Sequence, residues 1–587
     1  MKRDFFSIIW FLTGCQKDQN TDFRELPNII LIMTDDQGYG DLGIHGNGVI
    51  HTPTLDSLGR KSVRLTNFYV SPVCAPTRSS LMTGRYSLRT GVYDTYNGGA
   101  IMSERETTLA EYLKQAGFIT GIFGKWHLGD TYPWRPQDQG FDMSFVHGGG
   151  GIGQPGDFYE NYSKGDSSYF NPVFELNGVK TKTSGYCTDV ITDRAIEFIK
   201  ENNKSPLFAY ISYNAPHTPL QVPESYLQLY DTAEVHYGSY QGAGSEVEYM
   251  TGPDIENARR VYAMITNIDD NIERLLKTIR EEGLADNTLI IFMTDNGPQQ
   301  RRFNGGLRDR KGSVYEGGIR VPAFWHWPGH FENMAREFVC AHIDILPTIL
   351  DICRISPNEE NPIDGISILP VLLGERPTHY QRQLAHFWYR GYPEPYHNIA
   401  FRAGHLKLVG QGDYRMKNSE FELYNIAVDP FERNDISDSL PTITDSLKVA
   451  FDTWYAEIMK SRNLDIQRIQ IGTPYQNPVV LGRNDVKGAS AKQWMSETGF
   501  GYWDANITES GVYDIKVRFF KSVEVPGSTS IRFGKIQRTI TKNEGLDNLI
   551  TFEDVLLEKG PCTVEAWHSY QGRIISPLYI EVYKHSK

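Results

Sequence analysis

The sequence predicts an α/β protein: a large, mostly parallel sheet flanked by helices, followed by a small all-β C-terminal domain. Three observations carry this expectation. Continuous apolar runs at 28–34, 118–123, 207–212 and 288–294 suit strands buried on both faces. Each of the last three follows an amphipathic helical stretch, the pattern of a sheet crossed by helices. After about residue 463 the helical period gives way to alternation, as where Tyr513, Ile515, Val517 and Phe519 interleave with Asp514, Lys516 and Arg518.

In chain order, Met1-Lys2-Arg3 and the apolar Phe5 to Leu12 form an export signal, too short to span a bilayer as a helix. The following Leu12-Thr13-Gly14-Cys15 resembles a bacterial lipobox, so 1–15 is expected to be a lipoprotein signal peptide with Cys15 lipidated. Residues 16–26 then form a polar tether, and the protein is exported and membrane-anchored through lipid only, facing the periplasm or the cell surface. The α/β body is expected at 27–462 and a β-sandwich-like accessory domain at 463–587. A formal charge of −13 over 587 residues argues against a nucleic-acid partner. It also requires any anionic ligand to meet local basic groups. Cys187, Cys340, Cys353 and Cys562 show no framework spacing, and one bridge among them is left open.

The first strand, Asn28–Thr34, ends in Asp35-Asp36-Gln37-Gly38, at the strand end where open α/β sheets bind ligands. A capping box at Ser103-Glu-Arg-Glu106 is expected to open the next helix. The strand at 118–123 exits into Gly124-Lys125-Trp126-His127. The one at 207–212, after a helix near 188–200, exits into Asn214-Ala-Pro216-His217. A helix near 255–282 leads to the strand at 288–294, which exits into Asp295-Asn296-Gly297. Asp35, Asp36, Asp295 and Asn296 offer only hard oxygen ligands, a set suited to calcium or magnesium rather than zinc. The aperiodic stretches 148–168 and 231–252 are expected to be insertion loops, natural specificity elements at the ligand end of a sheet. A helix near 445–462 closes the body. In the C-terminal part, Trp503, Trp567 and Tyr570 are expected as core or interface aromatics rather than sugar platforms.

The most informative stretch is Ser71-Pro-Val-Cys74-Ala-Pro76-Thr-Arg78-Ser-Ser-Leu81-Met-Thr83-Gly84-Arg85. Pro76 disfavours helical geometry at Ala75, so Cys74 is expected on an extended segment facing a helix that starts near Pro76. That helix end, with Arg78 one turn on, favours an oxyanion.

The string Cys74-x-Pro76-x-Arg78-x-x-Leu81-x-Thr83-Gly84 resembles the signature of the type I, formylglycine-dependent sulfatases of the alkaline phosphatase-like superfamily. Gly-Lys-Trp-His, Asn-Ala-Pro-His and Lys311-Gly-Ser-Val-Tyr-Glu-Gly-Gly-Ile-Arg-Val-Pro match further family motifs, and the likeness spans roughly 28–434. It implies that a maturase oxidises Cys74 to formylglycine (3-oxoalanine), whose hydrated form attacks sulfur. It implies one calcium ion held by Asp35, Asp36, Asp295, Asn296 and the residue at position 74. Arg78, Lys125 and Lys311 are then expected on the sulfate oxygens, His217 as acid toward the leaving alcohol, and His127 as base in the step that expels sulfate. The substrate it implies is a sulfated glycan. His386, Trp388 and Arg390 are candidates for contacts to the sugar. Two other readings stand beside it: a phosphate or phosphonate ester hydrolase of the same superfamily, and an inert glycan-binding surface lipoprotein.

Overall fold

A computed structural model describes residues 26–231, 235, 240, 249–375, 382–389, 391, 393–523, 526–542 and 547–585. Ten strands form one mixed sheet: β1 (Asn28–Thr34), β2 (Val63–Tyr69), β3 (Ile119–Gly124), β4 (Met143–Val146), β5 (Val173–Leu176), β6 (Val179–Lys182), β7 (Leu207–Ser212), β8 (Thr288–Thr294), β9 (Ala323–His326) and β10 (Met334–Ala341). Their order is β10-β2-β9-β8-β1-β7-β3-β4-β5-β6. The centre, β8-β1-β7-β3-β4, is parallel throughout. Antiparallel β9 interrupts one flank, and β5 and β6 extend the other as antiparallel strands.

The central strands read as apolar runs because each serves two cores. Ile29, Leu31 and Met33 of β1 enter one cluster with Leu289, Ile291 and Met293 of β8, while Ile30 and Ile32 enter the other with Ile290 and Phe292. The helices Cys74–Thr83, Leu109–Gln115 and Ile345–Cys353 cover the first face. The helices Pro53–Arg60, Cys187–Glu201 and Gly252–Glu281 cover the second.

The structure departs from expectation at several ends. The helix expected near Pro76 begins at Cys74, with Val73 as its extended N-cap. No capping box forms at Ser103. The box is Thr108 with Glu111, whose backbone N–H and carboxylate close on each other's partners at 3.1 and 2.7 Å. Ser103 and Glu106 instead turn inward onto Asn463, at 2.9 and 2.6 Å. The closing helix runs Pro441–Ile458, earlier than expected, because Pro441 sits in its first turn, where a missing N–H costs nothing. Most of the expected loop 231–252 lies outside the described residues, as do the lipobox and Cys15.

A second, antiparallel sheet was not anticipated: β11 (Gln383–Phe387), β12 (Ile399–Ala403), β13 (Leu406–Gly410) and β14 (Glu422–Asn425), in that order. Residues 469–584 form two further sheets packed as a sandwich, one built on Trp503–Ile507, Gly527–Phe533 and Gly560–Tyr570, the other on Gly511–Phe519, Leu549–Leu557 and Pro577–Lys584. Their shared core also takes in Ile101 and Trp134 from the body. Trp503 is buried there with its indole N–H on the Gly482 carbonyl. The five described cysteines are unbridged. Among the described residues no helix is long and apolar enough to cross a membrane.

Candidate active site

The parallel pairing of β1 with β8 brings the two acidic strand ends together. Thr34 pairs with Thr294, so Asp35 and Asp36 emerge beside Asp295 and Asn296. The Asp36 N–H donates to Asp295 Oδ1 at 3.2 Å, and Asn296 Nδ2 donates to Asp36 Oδ1 at 2.8 Å. Asp36 takes a left-handed φ of 66°, a conformation rare outside glycine, to make this turn. All four residues are fully buried.

Within this cluster Asp35 Oδ1, Asp36 Oδ2 and Asn296 Oδ1 have no hydrogen-bond partner among the described residues. Buried oxygens left unpaired are costly, and three of them, all hard donors, fit a divalent cation of the calcium or magnesium type. The ligating atoms of Asp35, Cys74 and Asp295 lie within 4.8 Å of one another, and so do those of Asp35, Asp36 and His217.

Three basic side chains surround the carboxylates at different depths. Arg78, 1% exposed, donates to Asp295 Oδ2 at 2.7 Å, to Ser212 Oγ at 2.5 Å and to the Lys125 carbonyl at 3.2 Å. Lys125 is fully buried with Nζ 2.5 Å from Asp35 Oδ2. Lys311 Nζ lies 2.6 Å from Asp36 Oδ1, its side chain 15% exposed. Burial pushes Asp35 up, but Lys125, His217, Arg78 and Lys311 together hold it well below the usual carboxylate range. Asp295 is pushed up by burial and by the charge of Asp35, which Arg78 and Lys125 only partly oppose. Lys311 is raised despite burial, chiefly by Asp36.

Cys74 occupies the first helical position, buried, with Sγ 3.5 Å from His127 Nδ1. Burial raises its thiol, and Lys125 and Lys311 only partly oppose this, so a thiolate is disfavoured. His127 has a left-handed φ of 62° and packs against Gly150, where a Cβ would come within 2.7 Å of its ring. Its Nε2 lies 2.8 Å from the Thr95 carbonyl. A carbonyl only accepts, so Nε2 carries the proton and the neutral ring turns a bare Nδ1 toward position 74. Burial, then Lys125, lowers His127 well below its ordinary value and keeps it neutral. His217 is lowered to about 4 by burial and Lys311; its Nδ1 meets the Thr218 carbonyl at 2.8 Å and its Nε2 lies 3.8 Å from Asp36.

Cys74, His127, His217 and Lys311 line a cavity of about 460 Å³, in the size range of small-ligand sites. Trp388 lines it too, with its indole N–H on Asp94 at 3.2 Å. Arg78 and Lys125 are not among the lining residues; both lie deeper, against the carboxylates. His386 sits elsewhere: β11 buries it, Nδ1 bonded to the Val70 carbonyl at 3.1 Å and ring tilted on Tyr69. Arg390 lies outside the described residues. Sequence reasoning missed Ser212 and Thr95, which act only through long-range contacts. It missed Asn484, Trp494 and Met495, lining residues from the far end of the chain. Gln154, also lining, falls in the aperiodic 148–168 stretch, and that lack of periodicity was its signal.

The Sulfatase family model matches residues 27–355, and the model for N-sulphoglucosamine sulphohydrolase, C-terminal, matches 306–452. N-acetylgalactosamine-6-sulfatase of Homo sapiens is 30% identical over 403 residues, 62% of this chain and 72% of that protein. Arylsulfatase J of Mus musculus is 30% identical over 478 residues, 72% of this chain and 74% of that protein. The crystal structure of Ps i-CgsB in complex with k-i-k-neocarrahexaose is 28% identical, with a TM-score of 0.64, covering 75% of this chain and 94% of that one. With the acidic strand ends, the buried cysteine at a helix start and the basic residues around them, these matches lead to one assignment: the chain belongs to the sulfatase family of the alkaline phosphatase-like superfamily and is a sulfuric ester hydrolase.

Proposed function

We propose that the protein removes sulfate from a sulfated carbohydrate, using formylglycine made from Cys74 and one calcium ion held by Asp35, Asp36, Asp295 and Asn296. The observation that carries this reading is the surroundings of position 74: a thiol disfavoured as thiolate, a bare histidine nitrogen 3.5 Å away, and a carboxylate cluster with three unpartnered buried oxygens. The matured residue supplies a hydrated aldehyde hydroxyl as nucleophile toward sulfur, and the cation offsets the carboxylates and draws charge from the sulfate oxygens.

The chain's own residues divide the remaining work. Lys311 and His217, on the cavity floor, meet the sulfate group and stabilise its growing charge. His127 Nδ1 takes a proton at position 74. A bound anion raises His217 from its low resting value, so that it can protonate the leaving alcohol. Arg78 and Lys125 hold the carboxylates in place from below, a positioning role instead of the sulfate contact expected from the motif. The names of similar proteins support a carbohydrate substrate: one relative is an N-acetylgalactosamine-6-sulfatase, and one structural neighbour is complexed with a neocarrahexaose. A formylglycine-generating maturase is the implied partner in biosynthesis. Lipid on Cys15 is proposed as the membrane tether; Cys15→Ala is expected to release the protein from the membrane fraction.

Matured enzyme assayed against defined sulfated sugars is expected to release inorganic sulfate from at least one, and its Cys74 peptide to react with hydrazides. Sulfate release by protein with an unmodified Cys74 would refute the formylglycine reading. Release from aryl sulfates alone would refute the carbohydrate reading.

A further inference from the structure

The catalytic floor comes from residues 35–311, but the cavity above it is completed from the other end of the chain. Asn484, Trp494 and Met495, in the segment between two strands of the C-terminal sandwich, line the same cavity as Cys74 and His127. The segment is seated firmly. The Asn484 carbonyl accepts from the Gly98 N–H at 3.0 Å. Its carboxamide fits against two glycines, where a Cβ on Gly149 would lie 2.9 Å from Nδ2 and one on Gly156 2.3 Å from Oδ1. Arg483 braces the turn from behind, donating to the Trp494 and Ser496 carbonyls at 2.9 and 2.7 Å. The Trp494 ring stacks on Tyr96 with centroids 5.8 Å apart and planes 28° apart.

The loop 94–98 connects this segment to the chemistry. Asp94 accepts from Trp388, the Thr95 carbonyl fixes His127, Tyr96 backs Trp494, and Gly98 anchors Asn484. One short loop thus touches both the sandwich segment and the residues that bound the reacting centre.

We propose that residues 483–495 form the sugar-recognition wall of the active site, with Trp494, backed by Tyr96, as the platform for the ring that carries the sulfate. A pyranose presents an apolar C–H face and a rim of hydroxyls. Indole rings match the face, and the carboxamides of Asn484 and Gln154 match the rim. Asn484 lines the cavity with its carboxamide seated against Gly149 and Gly156, and its Oδ1 has no hydrogen-bond partner among the described residues. This proposal rests on the carbohydrate reading above and assigns the C-terminal sandwich a part in substrate choice.

The test uses the full, matured enzyme with Trp494→Ala and Trp494→Phe, on galactose and N-acetylgalactosamine each sulfated at O3, O4 or O6. Inhibition by inorganic sulfate serves as a probe of the floor alone. For the best sugar substrate, Trp494→Ala is expected to raise KM about tenfold or more with kcat changed less than about threefold, and Trp494→Phe to recover most of the loss. The inhibition constant for inorganic sulfate is expected to stay within about twofold, because sulfate reaches the floor without the wall. An unchanged KM, or a parallel loss of kcat and sulfate affinity, overturns the proposal while leaving the carbohydrate reading intact. A wild-type enzyme that frees sulfate from 4-nitrophenyl sulfate but from no sugar overturns both.

Discussion

Arg78 and Lys311 bring the same charge to the same carboxylate cluster from different depths, and their substitutions are expected to fail differently. Arg78→Ala leaves Asp295 without its 2.7 Å partner in a fully buried site, so a loss of about 3–5 kcal/mol in stability is expected, read as a lowered denaturant midpoint. Lys311→Ala, on the cavity floor with its side chain 15% exposed, is expected to lower the midpoint less than Arg78→Ala does and to lower kcat/KM by an amount equivalent to about 3 kcal/mol on every substrate. Equal midpoints for the two variants would contradict the assigned depths. The three unpartnered oxygens of Asp35, Asp36 and Asn296 predict about one calcium or magnesium per chain by elemental analysis and little zinc. Chelation is then expected to lower the melting temperature of inactive Cys74→Ala protein as well, since a ligand bound only by the native state stabilises it. The types of these residues were legible because short motifs at strand ends carry them. The depth of Arg78 was not, because it depends on Ser212 and Asp295, which are distant in sequence.

The central strands were readable nearly to the residue, since a run buried on both faces leaves a continuous apolar signature. The capping box was misplaced because two Ser/Thr-x-x-Glu patterns compete within a few residues, and only packing against Asn463 decides between them. The short strands β11 to β14 carry no such run, so His386 read as a candidate sugar contact although β11 buries it. Thr108→Ala is expected to cost about 1–2 kcal/mol, and a loss within error would contradict the cap. The 148–157 loop behind His127 is held by the carboxylates of half-buried Asp130 and buried Asp157. Asp130, pushed up to about 8 by burial and by Asp485, accepts from the Gly149 N–H; Asp157, pushed up to about 7 by burial, accepts from Gly148 and Gly153. Their folded values exceed the unfolded value near 3.8, so the native state holds more protons between. Their contribution is complete at low pH and is lost as pH rises toward 8, at no more than about 1.4 kcal/mol per pH unit per group. Asp130→Asn is expected to flatten the decline in stability between pH 5 and 8; an unaltered slope would place the titration elsewhere.

At the scale of the whole molecule, the body and the sandwich share a core, because Ile101 and Trp134 pack among the sandwich residues. Thermal unfolding is expected to show one calorimetric transition, and two well-separated transitions would mean that the shared core is energetically weak. Alternating residues made the sandwich itself legible. Its place over the active site was not, because Asn484 and Trp494 sit in an irregular segment that has no period or motif. The order of strands has a consequence in time. β1 lies between β7 and β8, so the chain near residue 30 cannot find its second neighbour until residue 294 exists. Ribosomes add about 5–20 residues per second, so the 294 − 74 = 220 residues after Cys74 take on the order of 10–40 seconds. During that interval the acidic strand ends cannot close over the cysteine. Afterwards Cys74 is 3% exposed at the floor of its cavity, so chemistry that has to draw this residue into another protein's active site acts on the nascent or still-unfolded chain.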